Sequence, residues 1–234
     1  MADLPPDIAL PVPETDDLGR YLEDTITIDW QTPSVMEAGR RLLAGLDEAG
    51  ARVERLFRFV RDEIDHSFDL DEEALARRAD RSSAAHASQS DRRGIACRAS
   101  EVLALGHGLC FAKSHLLAAL LRIAGHPAGF CYARLVDDER PRRFVLHGFV
   151  AAFWSPSRRW LLLDPRGDRP QARPPIETSC RFVEPFSLAW IPDPERGESL
   201  LPFVYKRPAR RIVDWLERVP DRATLRRTLP DALD

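Results

Sequence analysis

The chain has 234 residues, 44% hydrophobic and 30% charged, which supplies one globular core and excludes a disordered or fibrous chain. Lys plus Arg at 34 against Asp plus Glu at 37 leaves a net charge of −3, so no global basic field recommends nucleic acid or an anionic membrane as partner. Apolar runs such as Leu116 to Leu121 fall far short of the ~18 residues a membrane span needs, and a soluble protein is expected.

Met1 to Val12 contains Asp3 and Asp7 without a basic leading region or a long apolar block, so it does not read as a secretory signal, and a cytoplasmic location is expected. Residues 1–18, with Pro5, Pro6, Pro11 and Pro13, suit an extended N-terminal arm ahead of a single domain over 19–234. Thr32 is placed to cap a helix with Pro33 at its first position and Val35, Ala38, Leu42, Leu43 and Leu46 as its apolar stripe. A second helix shows Val53, Leu56, Phe57, Val60 and Ile64 at core-facing spacing. Arg77 to Arg98 is small, polar and basic, with almost nothing to bury, and reads as a surface loop.

The core is expected over about residues 95–170. Ser100 to Leu105 reads as a short helix stopped by Gly106, and Cys110 to Ala124 as a longer one stopped by Gly125. The longer helix is apolar almost all round and predicts burial. Three strands follow, Gly129 to Val136, Phe144 to Trp154 and Arg159 to Asp164, the last two joined through Ser155-Pro156-Ser157-Arg158. Pro165 to Pro175 reads as irregular. A C-terminal helical extension over about 208–234 starts near Pro208, with Ile212, Trp215, Leu216 and Val219 on one face. Helices followed by a central helix feeding an antiparallel sheet make the fold class α+β.

Four cysteines, Cys97, Cys110, Cys131 and Cys180, lack CxxC spacing, so reduced thiols and no zinc site are expected. Of these, Cys110 alone stands where a glycine-punctuated loop, Gly106-His107-Gly108-Leu109, enters a buried helix. There the free first-turn N–H groups and the positive end of the helix dipole favour a thiolate and offer donors to an oxyanion. The bland alternative is a small buried hydrophobe, as most free cysteines are. In the strand Phe144 to Trp154, alternation sets Val145, His147, Phe149, Ala151 and Phe153 on one face. A two- or four-residue turn centred between Pro156 and Ser157 puts His147 opposite position 166, with Asp164 on the same face one diagonal step away, whereas a three-residue turn would put the two on opposite faces. A carboxylate there accepts Nδ1–H of the imidazole and leaves Nε2 free to take the thiol proton. His115, about 140° round the helix from Cys110, points away. His107 sits close to the thiol in what reads as a solvated loop, while His66, His86 and His126 have no carboxylate partner that the sequence can place.

The run ASEVLALGHGLCFAKSHLLAALLRIAGHPAGFCYARL (Ala99 to Leu135), then VLHGF (Val145 to Phe149) and RWLLLDPRGD (Arg159 to Asp168), resembles the transglutaminase-like superfamily, especially its compact bacterial members. YLEDTITIDW (Tyr21 to Trp30) and FRFVRDEIDHSFD (Phe57 to Asp69) resemble the helical N-terminal part of the same proteins. The resemblance covers about residues 20 to 170 and implies a papain-like α+β core with Cys110 as nucleophile, His147 as general base and acid, and Asp164 as orienting carboxylate. It implies attack on an amide or carboxamide carbonyl to give a thioester, with no organic cofactor. No EF-hand-like acidic loop suggests calcium. The chain departs from the commonest family pattern at Phe111 and Phe149, positions often held by Trp.

The expected function is a cysteine-dependent acyl transfer on a peptide, protein or small amide substrate. Hydrolysis is favoured over crosslinking because a compact domain lacks the extra domains of dedicated crosslinkers. The alternative from another class is a catalytically silent peptide- or partner-binding module on the same fold. An arylamine acetyltransferase would share the Cys-His-Asp set, but no coenzyme A motif supports it. Lys113, Arg134 and the Arg-rich stretch Asp137 to Arg143 read either as solvated surface charge, the commoner case, or as flanks of a cleft that favours an anionic substrate.

Overall fold

The computed structural model describes residues 8–71, 73–75, 94–137, 140–169, 175–178 and 186–233. The arm contributes a short strand β1 (Val12–Pro13) that docks in parallel on a distant segment, β9 (Phe203–Val204). Helices α1 (Pro33–Leu43) and α2 (Ala49–Arg58) follow, burying Val35, Ala38 and Leu42 from one and Val53, Leu56 and Phe57 from the other. Pro33 starts α1, but Thr32 gives its hydroxyl to Asp29 at 3.3 Å rather than capping the helix. The helix also stops before Leu46, because Ala44 turns extended and Gly45 takes φ +74°. A π-helical turn over Phe59–Glu63 continues α2, so Val60 and Ile64 are buried although they lie outside regular helix.

A two-stranded parallel ladder fastens the entry to the central helix, with β2 (Asp65–His66) on β3 (His107–Gly108). Helix α3 (Ala99–Leu105) precedes β3 and ends at Gly106, φ +67°. Helix α4 (Cys110–Ile123) is then covered on nearly every side. Leu116, Leu117, Leu120 and Leu121 are fully buried, each contributing about 1.5–3 kcal/mol relative to an exposed side chain, which makes α4 a rigid platform.

Strands β4 (Ala128–Asp137), β5 (Arg140–Trp154) and β6 (Arg159–Leu163) form an antiparallel meander, and β5 pairs with β6 in the expected register, from Val150 opposite Leu163 to Trp154 opposite Arg159. One face, with Phe130, Tyr132, Leu146, Val150, Leu161 and Leu163, joins the cluster around α4. The other, with Cys131, Ala133, Phe149, Ala151 and Leu162, packs on Tyr21 and Val204. Two edge strands carry no sequence signal: β7 (Phe186–Ser187), parallel to β6, and β8 (Ser199–Leu200), antiparallel to β4, giving the order β7-β6-β5-β4-β8.

The C-terminal extension is two helices, α5 (Arg210–Arg218), which buries Ile212 and Leu216, and α6 (Arg222–Arg227), which buries Leu225. Beyond them Pro230 accepts the Leu146 N–H at 2.7 Å, on the stretch of β5 that β6 leaves uncovered. Most of the expected 77–98 surface loop lies outside the described residues. Near its far end the expectation fails, since Ile95, Ala96 and Cys97 are buried against the α3–α4 core, while Arg98 is exposed. Among the described residues no helix is long and apolar enough to cross a membrane.

Candidate active site

Cys110 is the first residue of α4, whose first intrahelical bond runs from Lys113 N–H to Leu109 O at 2.8 Å. The N–H groups of Cys110, Phe111 and Ala112 therefore lie outside the helical ladder, at the positive end of the dipole. Two features hold this end of the helix against the sheet. Ser114 donates its hydroxyl to Cys110 O at 2.7 Å and Gly148 O at 3.3 Å, tying the first turn to the strand residue next to His147. Gly148 itself has no side chain, and a Cβ there would stand 2.5 Å from Phe111 Cδ1, so glycine is what allows α4 to approach β5 this closely.

The three residues expected at the site come together. His147 Nε2 lies 2.7 Å from Asp164 Oδ2, and the Cys110 thiol is near enough to act on the ring through its charge and hydrogen bonding. The ring is turned over relative to the expected arrangement. Asp164 takes Nε2, so Nδ1 is the ring nitrogen left to exchange a proton with the thiol. All three are buried, Cys110 at 8% exposure, His147 at 6% and Asp164 at 0%.

Electrostatics fix the proton on the ring. Burial acts to lower the His147 pKa, but the charges of Asp164 and Cys110 and the hydrogen bonds to both outweigh it, so the imidazole is pushed up to about 10. Burial by itself would raise the Asp164 carboxyl, but His147 and the backbone N–H groups of Ala189 and Arg166 hold it below the ordinary carboxylate range. Those N–H groups donate at 2.9 Å to Oδ2 and 3.0 Å to Oδ1. With His147 they supply three donors to the carboxylate, and the imidazolium is anchored from beneath.

Several contributors were missed from sequence. Trp190 packs its ring at 78° to His147 with centroids 4.8 Å apart, shielding one side of the imidazole. Arg166 lies 5.8 Å over Trp190 and holds Asp69 in a fork at 2.6 and 2.9 Å. Lys113, expected at the surface or beside a cleft, is fully buried and donates to the carbonyls of Arg61, Ile64 and Arg166 at 3.3, 2.5 and 3.3 Å. Its pKa falls to about 7, first through burial and then through the charge of Arg166. Arg134 stacks on Phe144 at 3.4 Å.

Of the other histidines, His115 points away as expected and is bound to Cys97 O at 2.6 Å. His107 is buried rather than solvated, with Nδ1 3.1 Å from Ser67 Oγ. Cys97, Cys110 and Cys131 are free thiols, and burial pushes the Cys131 thiol up, out of reactive range. Cys180 and His86 lie outside the described residues. Among the described residues, no three His, Cys, Asp or Glu side chains converge as metal ligands.

With a cysteine at a helix entry, a charged imidazole and a three-donor carboxylate, the arrangement has the parts for nucleophilic attack on a carbonyl. The family model described as "Transglutaminase-like superfamily" matches residues 37–165, more than half of the chain. A solved structure that is similar over 65% of the chain and 43% of its own length is that of a candidate cysteine protease from Cytophaga hutchinsonii, at 13% identity and a TM-score of 0.45. The chain thus spans less than half of that protein. No curated protein sequence matches.

Proposed function

From a chain that belongs to the transglutaminase-like superfamily, we propose a cysteine-dependent acyl-transfer enzyme that acts on amide or carboxamide carbonyls through a thioester at Cys110, with His147 and Asp164 as its partners. The observation that carries this reading is His147 held between Asp164 Oδ2 at 2.7 Å and the Cys110 thiol, with the imidazole pushed up to about 10.

Near neutral pH the proton resides on the ring, and Cys110 supplies the attacking sulfur beside it. Its sulfur adds to the substrate carbonyl carbon, and the Cys110 N–H at the helix entry donates to the oxygen as it becomes an oxyanion. His147 gives its Nδ1 proton to the leaving nitrogen, the C–N bond breaks, and an amine departs. The acyl group is now a thioester on Cys110. Water then attacks that carbon while His147 Nδ1 takes a proton from it, the C–S bond breaks, and a carboxylic acid leaves the thiolate–imidazolium pair restored. Asp164 stays charged throughout and fixes the ring.

Water is the proposed acceptor because it requires no second binding site, and an amine in its place would give transamidation. Peptides, proteins and small amides are the proposed substrates, without nucleic acid, a membrane or an organic cofactor. Burial of Cys110 at 8% exposure favours one other reading, a silent binding module on the same fold. Mass spectrometry of the chain after incubation with a peptide and amide library distinguishes them. An acyl adduct on Cys110, absent from Cys110→Ala and diverted to an amide product by added glycine methyl ester, supports the enzyme. Binding of peptides with no adduct supports the silent module.

A further inference from the structure

His66 is a buried titratable group beside the site that this mechanism leaves unused. It ends β2, paired with Gly108 two residues before Cys110. Paired residues on adjacent strands point to the same side of the ladder. A Cβ at Gly108 would point between the first turns of α4 and the facing side of α3, 3.1 Å from Ala112 Cβ, 3.4 Å from Lys113 N and 3.5 Å from Val102 Cγ2. The His66 side chain therefore lies on the α4 side of the ladder, 8% exposed and close enough to His147, Arg166 and Lys113 to feel their charge.

The tautomer follows from one backbone contact. Phe68 N–H donates to His66 Nδ1 at 3.4 Å, so a neutral ring carries its proton on Nε2. Burial first, then the positive charges of Arg166 and Lys113, then His147 and Arg169, hold the pKa well below the ordinary imidazole range. Phe68 packs at the edge of the ring, 5.7 Å between centroids at 76°, and limits its rotation. His66 is thus a neutral N–H donor, fixed in tautomer and orientation in a mostly dry setting. A donor that need not reorganise is what an oxygen gaining charge requires.

We propose that His66 is a second oxyanion donor, whose Nε2–H hydrogen-bonds the substrate carbonyl oxygen alongside the Cys110 N–H while the Cys110 sulfur adds to the carbon. No proton leaves the ring. The inference rests on the reading of Cys110 as nucleophile, and two reagents separate the two claims. Iodoacetamide alkylates a thiolate by direct displacement and builds no oxyanion, whereas p-nitrophenyl acetate acylates it through a tetrahedral one.

In the full chain, His66→Phe should slow acylation of Cys110 by about 10²-fold, the range for loss of one such donor, and leave alkylation within about twofold of wild type. His66→Gln, which keeps an N–H donor, should recover part of the acylation rate. The inference is overturned if His66→Phe acylates at the wild-type rate, or if both rates fall together in both variants, which marks a purely structural residue. A wild type in which Cys110 neither alkylates quickly nor acylates overturns the nucleophile and the donor together.

Discussion

Gly148→Ala tests how close α4 must lie to β5 for Cys110 to meet His147. The new Cβ would stand 2.5 Å from Phe111 Cδ1, 3.1 Å from Cε1 and 3.4 Å from Cα. Ordinary carbon contacts are about 3.5–4.0 Å, so the nearest ring atom must retreat by about 1 Å. The ring has nowhere to go: it is 1% exposed, with Tyr132 and Trp215 each 6.2 Å away between centroids. Relief must come from the first turn of α4 moving off the strand, which stretches the 3.3 Å bond from Ser114 to Gly148 O and draws Cys110 from His147. Overpacking of this kind costs about 1–3 kcal/mol, roughly 2–12 °C in melting temperature for a chain of this length. Alkylation of Cys110 at neutral pH should fall by about tenfold or more as the ion pair loosens. Thermal denaturation and iodoacetamide kinetics read the two effects, and Phe111→Leu in the same chain, which trims the clashing ring, should restore part of both. A Gly148→Ala protein that melts and alkylates like wild type would refute the close-approach argument.

Asp164→Asn removes the charge that most favours the imidazolium, so alkylation of Cys110 at pH 7 should fall by about 10²-fold with the fold intact by circular dichroism. Asp164→Ala should cost more stability than Asp164→Asn, because it also strands the Arg166 and Ala189 N–H groups, each worth about 1–3 kcal/mol when buried unpaired. The pH dependence of stability contains two opposed contributions. His147 is raised from 6.5 to about 10, so its stabilisation is full below pH 6.5 and is lost as pH rises through about 10. Lys113 is lowered from 10.5 to about 7, so the unfolded chain binds more protons between those values and stability gains with rising pH. Between pH 7 and 10 the two contributions nearly cancel in wild type, so Lys113→Met should expose a fall in melting temperature over that range, and His147→Ala a rise. Parallel curves for all three proteins would contradict both assignments.

How much of this was legible in the sequence depended on whether a residue's place is fixed by nearby chain. The four-residue connection Ser155 to Arg158 fixed the β5–β6 register, and with it the face and diagonal spacing of His147 and Asp164. Gly106 and the apolar run after Cys110 likewise located the helix entry. The orientation of the imidazole was not legible, since strand alternation gives a face and no rotamer. Nor were Ala189 and Trp190 at Asp164 and His147, or Asp69 at Arg166, because each arrives from a distant, non-periodic segment. Lys113 offered a signal that charge counting misread. A cation in a helix that is apolar all round has no wet face to occupy, and its neighbours must supply acceptors. Arg122, the other buried cation of α4, repeats the pattern by donating to the carbonyls of Glu23, Ala128 and Lys206.

The most direct measurement is a brief pulse of iodoacetamide at pH 7, followed by peptide-level mass spectrometry that resolves each cysteine in wild type and His147→Ala. Cys110 should label far ahead of Cys97 and Cys131 in wild type, and fall to their pace once the imidazole is gone. Equal slow labelling of every thiol, or a Cys110 indifferent to the loss of His147, would contradict the ion pair on which the proposed chemistry depends.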